Sequence, residues 1–157
     1  MQKIAPLKLD GHDRAIVSLL QEEGRLSNVE LAARVGLSES ATLRRVKNLE
    51  ESGLVAGYAM ILNQAAVGKP GNVFVSISLD SQQKERLARF EEAVSSVDEV
   101  MECYLMGGDV DYILRVIVGG GPAYERFHHQ LTALPGVARV HSAFSLRTVF
   151  KKTKIEV

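Results

Sequence analysis

Six residues in one short segment, Ser38, Ser40, Thr42, Arg44, Arg45 and Lys47, have the side chains that nucleic-acid recognition needs. A guanidinium can donate two parallel hydrogen bonds to guanine, so Arg44 or Arg45 is a candidate base reader. The point charge of Lys47 suits phosphate. A second segment, Gly107-Gly108-Asp109-Val110-Asp111-Tyr112, sets two carboxylates two residues apart beside backbone N–H groups. Such a turn could hold both ends of an amino-acid zwitterion, the ammonium on Asp109 or Asp111 and the carboxylate on backbone amides. The same spacing fits a hairpin turn whose Asp side chains cap their own backbone, so the residues alone leave two readings open. His141 and Ser142 are weaker candidates for an opposite wall. Catalysis has little footing. Gly119–Pro122 lacks the Lys-Ser/Thr of a phosphate-binding loop, and the two aspartates have no nucleophile around them. His12, His128, His129 and His141 show no metal-ligand spacing. No enzyme, cofactor or metal is expected.

The first set of residues needs a helix presented by a brace. Ser27 with Glu30 three residues later reads as a capping box, and Leu31, Ala32 and Val35 continue an apolar stripe that includes Val29. Gly36 suits a left-handed helix end. Ser38 can cap a following helix in which Leu43, Val46 and Leu49 face inward. A preceding helix spans Leu9 to Gly24, capped by Asp10, with Ile16, Leu19 and Leu20 inward. Three helices arranged this way form a helix-turn-helix unit, whose second motif helix enters the major groove. A plain helical hairpin with a solvated charged face is the alternative.

Downstream, Leu54–Leu62 reads as a strand leaving the helical unit, and Asn63–Asn72 as a polar, Gly-containing linker. From Asn72 the period changes to two. A strand (Val73, Val75, Ile77 and Leu79 on one face) leads to a helix over Ser81–Val94 and a strand over Val100–Met106. A turn at Gly107–Asp109 and a strand over Tyr112–Val118 follow. A helix beginning near Pro122 and a long strand from Val137 to about Phe150 complete the order. This is the βαββαβ, ferredoxin-like plan, with two helices on one sheet face and the other face open to pairing with another chain. The fold class is α+β, with domains at 1–62 and 72–157 joined by a linker at 63–71.

The chain of 157 residues has a formal net charge of zero, so DNA affinity must come from a local patch. The lone Cys103 gives no disulfide framework and reads as a small core residue. The first residues lack an apolar signal core, and no apolar run approaches a membrane span, so a cytoplasmic location without membrane contact is expected. The basic residues Arg147, Lys151, Lys152 and Lys154 read as a solvated strand end, with a DNA-wrapping contact as the alternative.

The segments LDGHDRAIVSLLQEEGRLSNVELAARVGLSESATLRRVKNLEESGLVAGYAMILN, VMECYLMGGDVDYILRV and LPGVARVHSAFSLRTV, in this order, resemble the Lrp/AsnC family of transcription regulators over nearly the whole length. The resemblance implies sequence-specific binding of double-stranded DNA by the helical half. It also implies a C-terminal αβ-sandwich that dimerises and binds a small effector, typically an amino acid, with dimers assembling into octamers. The effector cleft of that family is built around the GxxDY-like segment, which favours Gly107, Asp109, Asp111 and Tyr112 as effector residues. Glu39 and Ala41 stand where the family often has prolines, and Thr42 where it often has cysteine. The rival reading is a stand-alone sensing or oligomerisation module whose helical half binds protein.

Overall fold

The computed structural model describes residues 7–157. The chain forms two compact units, one of the residues through Met60 with Phe150–Val157, the other of Ile61–Val149.

The first unit contains α1 (Gly11–Glu22), α2 (Asn28–Val35) and α3 (Glu39–Glu51). Each begins at a side-chain cap. Asp10 and Asp13 form a capping box on α1, and Ser27 and Glu30 form one on α2. Ser38 accepts from the Ala41 N–H at the start of α3. These bonds satisfy amides that the first turn of a helix otherwise leaves unpaired. Gly36 ends α2 at φ +68°, a left-handed position that glycine adopts without strain. Ile16, Leu31, Val35 and Leu49 form the buried centre.

Two residues expected inside lie outside: Val29 and Leu43 are both exposed. On α3 the inward stripe is Thr42, Val46 and Leu49, at spacings of four and three. At 3.6 residues per turn, Leu43 falls well to one side of it. The expected strand over Leu54–Leu62 is not formed. A strand needs a partner for its N–H and C=O groups, and none of the described residues supplies one. Leu54 and Val55 still pack on the helical core, whereas Met60, Ile61 and Leu62 are exposed. Phe150–Val157 groups by its contacts with the helices. There the Gln21 side chain donates to the Ile155 carbonyl and accepts from its N–H, and Lys154 pairs with Glu22.

The second unit holds β1 (Gly71–Leu79), α4 (Lys84–Ser95), β2 (Val100–Leu105), β3 (Tyr112–Val118), α5 (Gly121–Thr132) and β4 (Val137–Phe144). The sheet is antiparallel with order β2-β3-β1-β4. Alternation places Val73, Val75 and Ile77 of β1 and Leu114 and Val116 of β3 against Phe90 of α4 and Phe127 of α5. The opposite face carries Phe74 on β1 and Tyr104 on β2, both exposed, and Arg115 on β3, which donates to Glu102. The last strand ends at Phe144, well before Phe150, because its partner β1 runs out: Phe144 already pairs with Val73, two residues from the start of β1. Cys103 is exposed rather than in the core, since β2 is an edge strand.

Candidate nucleic-acid interface and effector turn

α3 has two chemically distinct sides. Ser40, Leu43, Arg44 and Lys47 share an exposed side at spacings of three and four. Lys47 makes a 3.6 Å ion pair with Glu51 one turn on, a surface pair of little strength. Ser38 is exposed at the helix start.

The other side braces the unit. Arg45 Nη1 donates to Asp10 Oδ2 at 2.8 Å and to Asp13 Oδ1 at 2.7 Å, fastening α3 to the cap of α1. Thr42 is fully buried, and its hydroxyl donates to the Ser38 carbonyl at 3.0 Å. Asn28 Nδ2 donates to the Glu39 carbonyl, tying the start of α2 to the start of α3. Of the six residues singled out in the sequence, Ser38, Ser40, Arg44 and Lys47 thus face outward, whereas Thr42 and Arg45 are engaged within the unit. Helical spacing puts Thr42 and Arg45 on the side of Val46 and Leu49, but what engages Arg45 is the pair of carboxylates at the start of α1, which its own helix does not reveal.

In the second unit the β2–β3 connection is closed by Met106 N–H donating to the Asp111 carbonyl at 2.8 Å. Gly108 has φ +131°, and a Cβ built at Gly107 or Gly108 meets nothing within 4 Å, so the turn is open on the outside. Its two carboxylates have different surroundings. Asp111 is 8% exposed, and its oxygens accept from the Leu79 N–H and from Gln82 Nε2, both at 2.7 Å. Asp109 is exposed and forms no ion pair among the described residues. Tyr112 is buried, and its hydroxyl donates to Glu91 on α4 at 2.8 Å. Burial, with the Glu91 carboxylate next, holds that phenol well above its ordinary range.

His141 and Ser142 do not share a wall. Successive strand residues point to opposite faces. Ser142 sits on the helix-covered face, where it takes a hydrogen bond from Tyr124, while His141 is exposed on the other. Both lie on β4, two strand spacings, about 10 Å, from β3. Sequence reasoning missed Gln82 and Glu91, which anchor Asp111 and Tyr112. Neither is adjacent in sequence, and only the sheet and α4 bring them there.

A capped three-helix unit with one cationic exposed helix side, joined to an antiparallel αβ-sandwich with an open acidic turn, defines a DNA-binding regulator with a separate ligand-binding domain. Comparison with known proteins agrees for both halves. Residues 9–56 match the winged helix-turn-helix DNA-binding model, and residues 72–155 match the Lrp/AsnC ligand binding domain. The Bkd operon transcriptional regulator of Pseudomonas aeruginosa is 44% identical over 147 residues, covering 93% of this chain and 96% of that protein. The leucine-responsive regulatory protein of Escherichia coli K12 is 42% identical over 130 residues, covering 82% and 79%. A crystal structure of an AsnC family transcriptional regulator from Agrobacterium tumefaciens superposes with a TM-score of 0.89 at 39% identity, covering 94% of this chain and 96% of that one. A transcriptional regulator from Neisseria meningitidis in complex with L-Met gives 0.90 at 35% identity, with the same coverage. The chain belongs to the Lrp/AsnC family of transcriptional regulators. It is not an enzyme.

Among the described residues, no helix is long and apolar enough to cross a membrane.

Proposed function

We propose that this regulator reads DNA with the exposed side of α3. Arg44 contacts base edges, Lys47 meets phosphate, and Ser38 and Ser40 contact the groove near the helix start. Arg45 and Thr42 act as positioning residues: the Asp10–Asp13 clamp and the Ser38 carbonyl occupy them, so they hold the helix that presents the others. The observation that carries this reading is the partition of α3 into a clamped side and an open cationic side.

The effector is an amino acid or a related small zwitterion. Asp109 takes the ammonium and the backbone N–H groups around Gly107 and Gly108 take the carboxylate. Asp111 and Tyr112 shape the turn through Leu79, Gln82 and Glu91. The open space over the turn supports this, as does the L-Met bound by the Neisseria meningitidis regulator. His141 or Ser142 joins such a site only from another copy, because β4 lies at the far edge of the same sheet. Self-association uses the open sheet face, where Phe74 and Tyr104 are exposed, to give a dimer, and four dimers make an octamer. Dimers place two α3 helices on half-sites about one helical turn apart. The domain plan of a helix-turn-helix at 1–62, a linker at 63–71 and a sandwich from 72 belongs to this reading, as does action in the cytoplasm.

The test is a footprint on the DNA upstream of the chain's own gene and its neighbours, repeated with each amino acid. A protected site that changes with one compound is the expected result. Absence of any protection by folded protein would count against the reading and favour a helical half that binds protein. Coupling must also be reciprocal, so saturating DNA shifts the dissociation constant of an active effector by the same factor.

A further inference from the structure

We infer that Leu43 is a specificity-determining residue of the DNA interface and reads the C5-methyl group of thymine. The inference rests on the DNA reading above. Leu43 is 59% exposed, although Thr42, Val46 and Leu49 complete the packing of α3 without it. It shares its side of the helix with Ser40, Arg44 and Lys47, all polar. Scattered exposed leucines ordinarily carry no meaning, but this one lies within the surface that must meet a base-pair edge. It is the fifth residue of α3, beside Arg44 and within the early turns that approach base edges in a docked recognition helix.

The major-groove edges of the bases offer donors, acceptors and one apolar group, the thymine methyl. A leucine side chain can make no hydrogen bond. Set against a guanine, adenine or cytosine edge, it displaces water from polar atoms without replacing their bonds, which is unfavourable. Set against a thymine methyl, it buries apolar surface on both partners. Leu43 thus discriminates by favouring one base and penalising the other three, whereas Arg44 discriminates by its donors.

The test begins with the full-length protein and a random duplex library, from which bound sequences are selected. Each thymine of the selected duplex is then replaced singly by deoxyuridine, which removes only the methyl group. The expected result is a loss of about fourfold in affinity at one position per half-site, the worth of one buried methyl. The Leu43→Ala variant loses affinity for the thymine duplex and becomes indifferent to deoxyuridine at that position. Arg44→Ala keeps the deoxyuridine response while losing affinity overall. An exposed leucine leaves the core intact when truncated, which circular dichroism checks, and the deoxyuridine series with unaltered protein needs no variant. Affinity unchanged by deoxyuridine at every position overturns the inference, as does a full response retained by Leu43→Ala. Both of those outcomes leave the DNA reading standing. A library from which no sequence is enriched overturns the DNA reading together with this inference.

Discussion

Arg45 Nη1 donates to Asp13 Oδ1 across 2.7 Å, joining the third helix of the DNA-binding unit to the capping box of the first. The same nitrogen reaches Asp10, so one cation serves two carboxylates whose backbone amides are already paired with each other's side chains. The presented side of α3 is held in orientation by its opposite side.

Arg45→Ala is therefore expected to act on the fold of the helical unit as well as on DNA. The melting temperature falls by a few degrees, and affinity falls by a similar factor for specific and non-specific DNA. Thermal melts paired with binding titrations on two duplexes check this. A loss confined to the specific duplex, with the melting temperature unchanged, would instead make Arg45 a base reader.

Arg44→Ala leaves the melting temperature in place, because Arg44 is exposed. It costs about 1–3 kcal/mol on the specific duplex and relaxes preference at one base pair. Lys47→Ala weakens all duplexes alike and reduces the slope of log affinity against log salt by about one. Titrations at three salt concentrations separate the two roles.

The two aspartates of the β2–β3 turn should part company on substitution. Asp109→Asn weakens effector binding and leaves stability unchanged, since the side chain is exposed. Asp111→Ala strips the Leu79 N–H and Gln82 of their acceptor and costs about 1–3 kcal/mol of stability. Calorimetric titration with amino acids, alongside denaturant melts, distinguishes a ligand group from a structural one.

Acid should loosen the helix caps. The Ser27 backbone N–H and hydroxyl hold the Glu30 carboxyl below its ordinary value of 4.5, and the Asp13 backbone N–H, with Arg45, holds Asp10 below 3.8. A carboxylate with a depressed folded pKa contributes stability that is fully present above its unfolded value. That stability is lost as pH falls through the folded one. The melting temperature of the helical unit is expected to be level at neutral pH and to drop as pH falls below these ordinary values. Glu30→Gln flattens part of that drop. Equal pH profiles for the variant and the original would remove the Ser27–Glu30 box from the account.

The legible parts of the fold are those set by local rules. Asp10, Ser27 and Ser38 were recognisable as caps because a short oxygen-bearing side chain before a helical period pairs with the next amides, whatever the rest of the chain does. Gly36 was recognisable by its place after a helical stripe, and β1 by the strict apolar alternation of Val73, Val75, Ile77 and Leu79 with Phe74, Ser76 and Ser78. The inward placement of Leu43 failed for want of a competing claim: Thr42 lies nearer the axis of the stripe, and a partly polar residue can be the buried one when its hydroxyl turns back to its own helix. The strand over Leu54–Leu62 failed because a strand is a property of two segments, and its apolar pattern names no partner.

By itself, the sequence determined which segments are helical, where the three helices of the first unit start, the βαββαβ order and the clustering of cationic groups on one helix. These depend on interactions within about four residues or on simple periodicity. The fourth helix, read from Ser81, starts at Lys84, because its N-cap Gln83 makes no side-chain cap bond that could mark it. Tertiary structure decided which arginine is free to meet DNA, which aspartate is free to meet a ligand, and that His141 and Ser142 face apart. Those outcomes depend on contacts with residues distant along the chain, Asp13 for Arg45 and Leu79 for Asp111. A charged side chain reads the same in sequence whether its partner is a distant carboxylate or solvent. Only packing chooses between them.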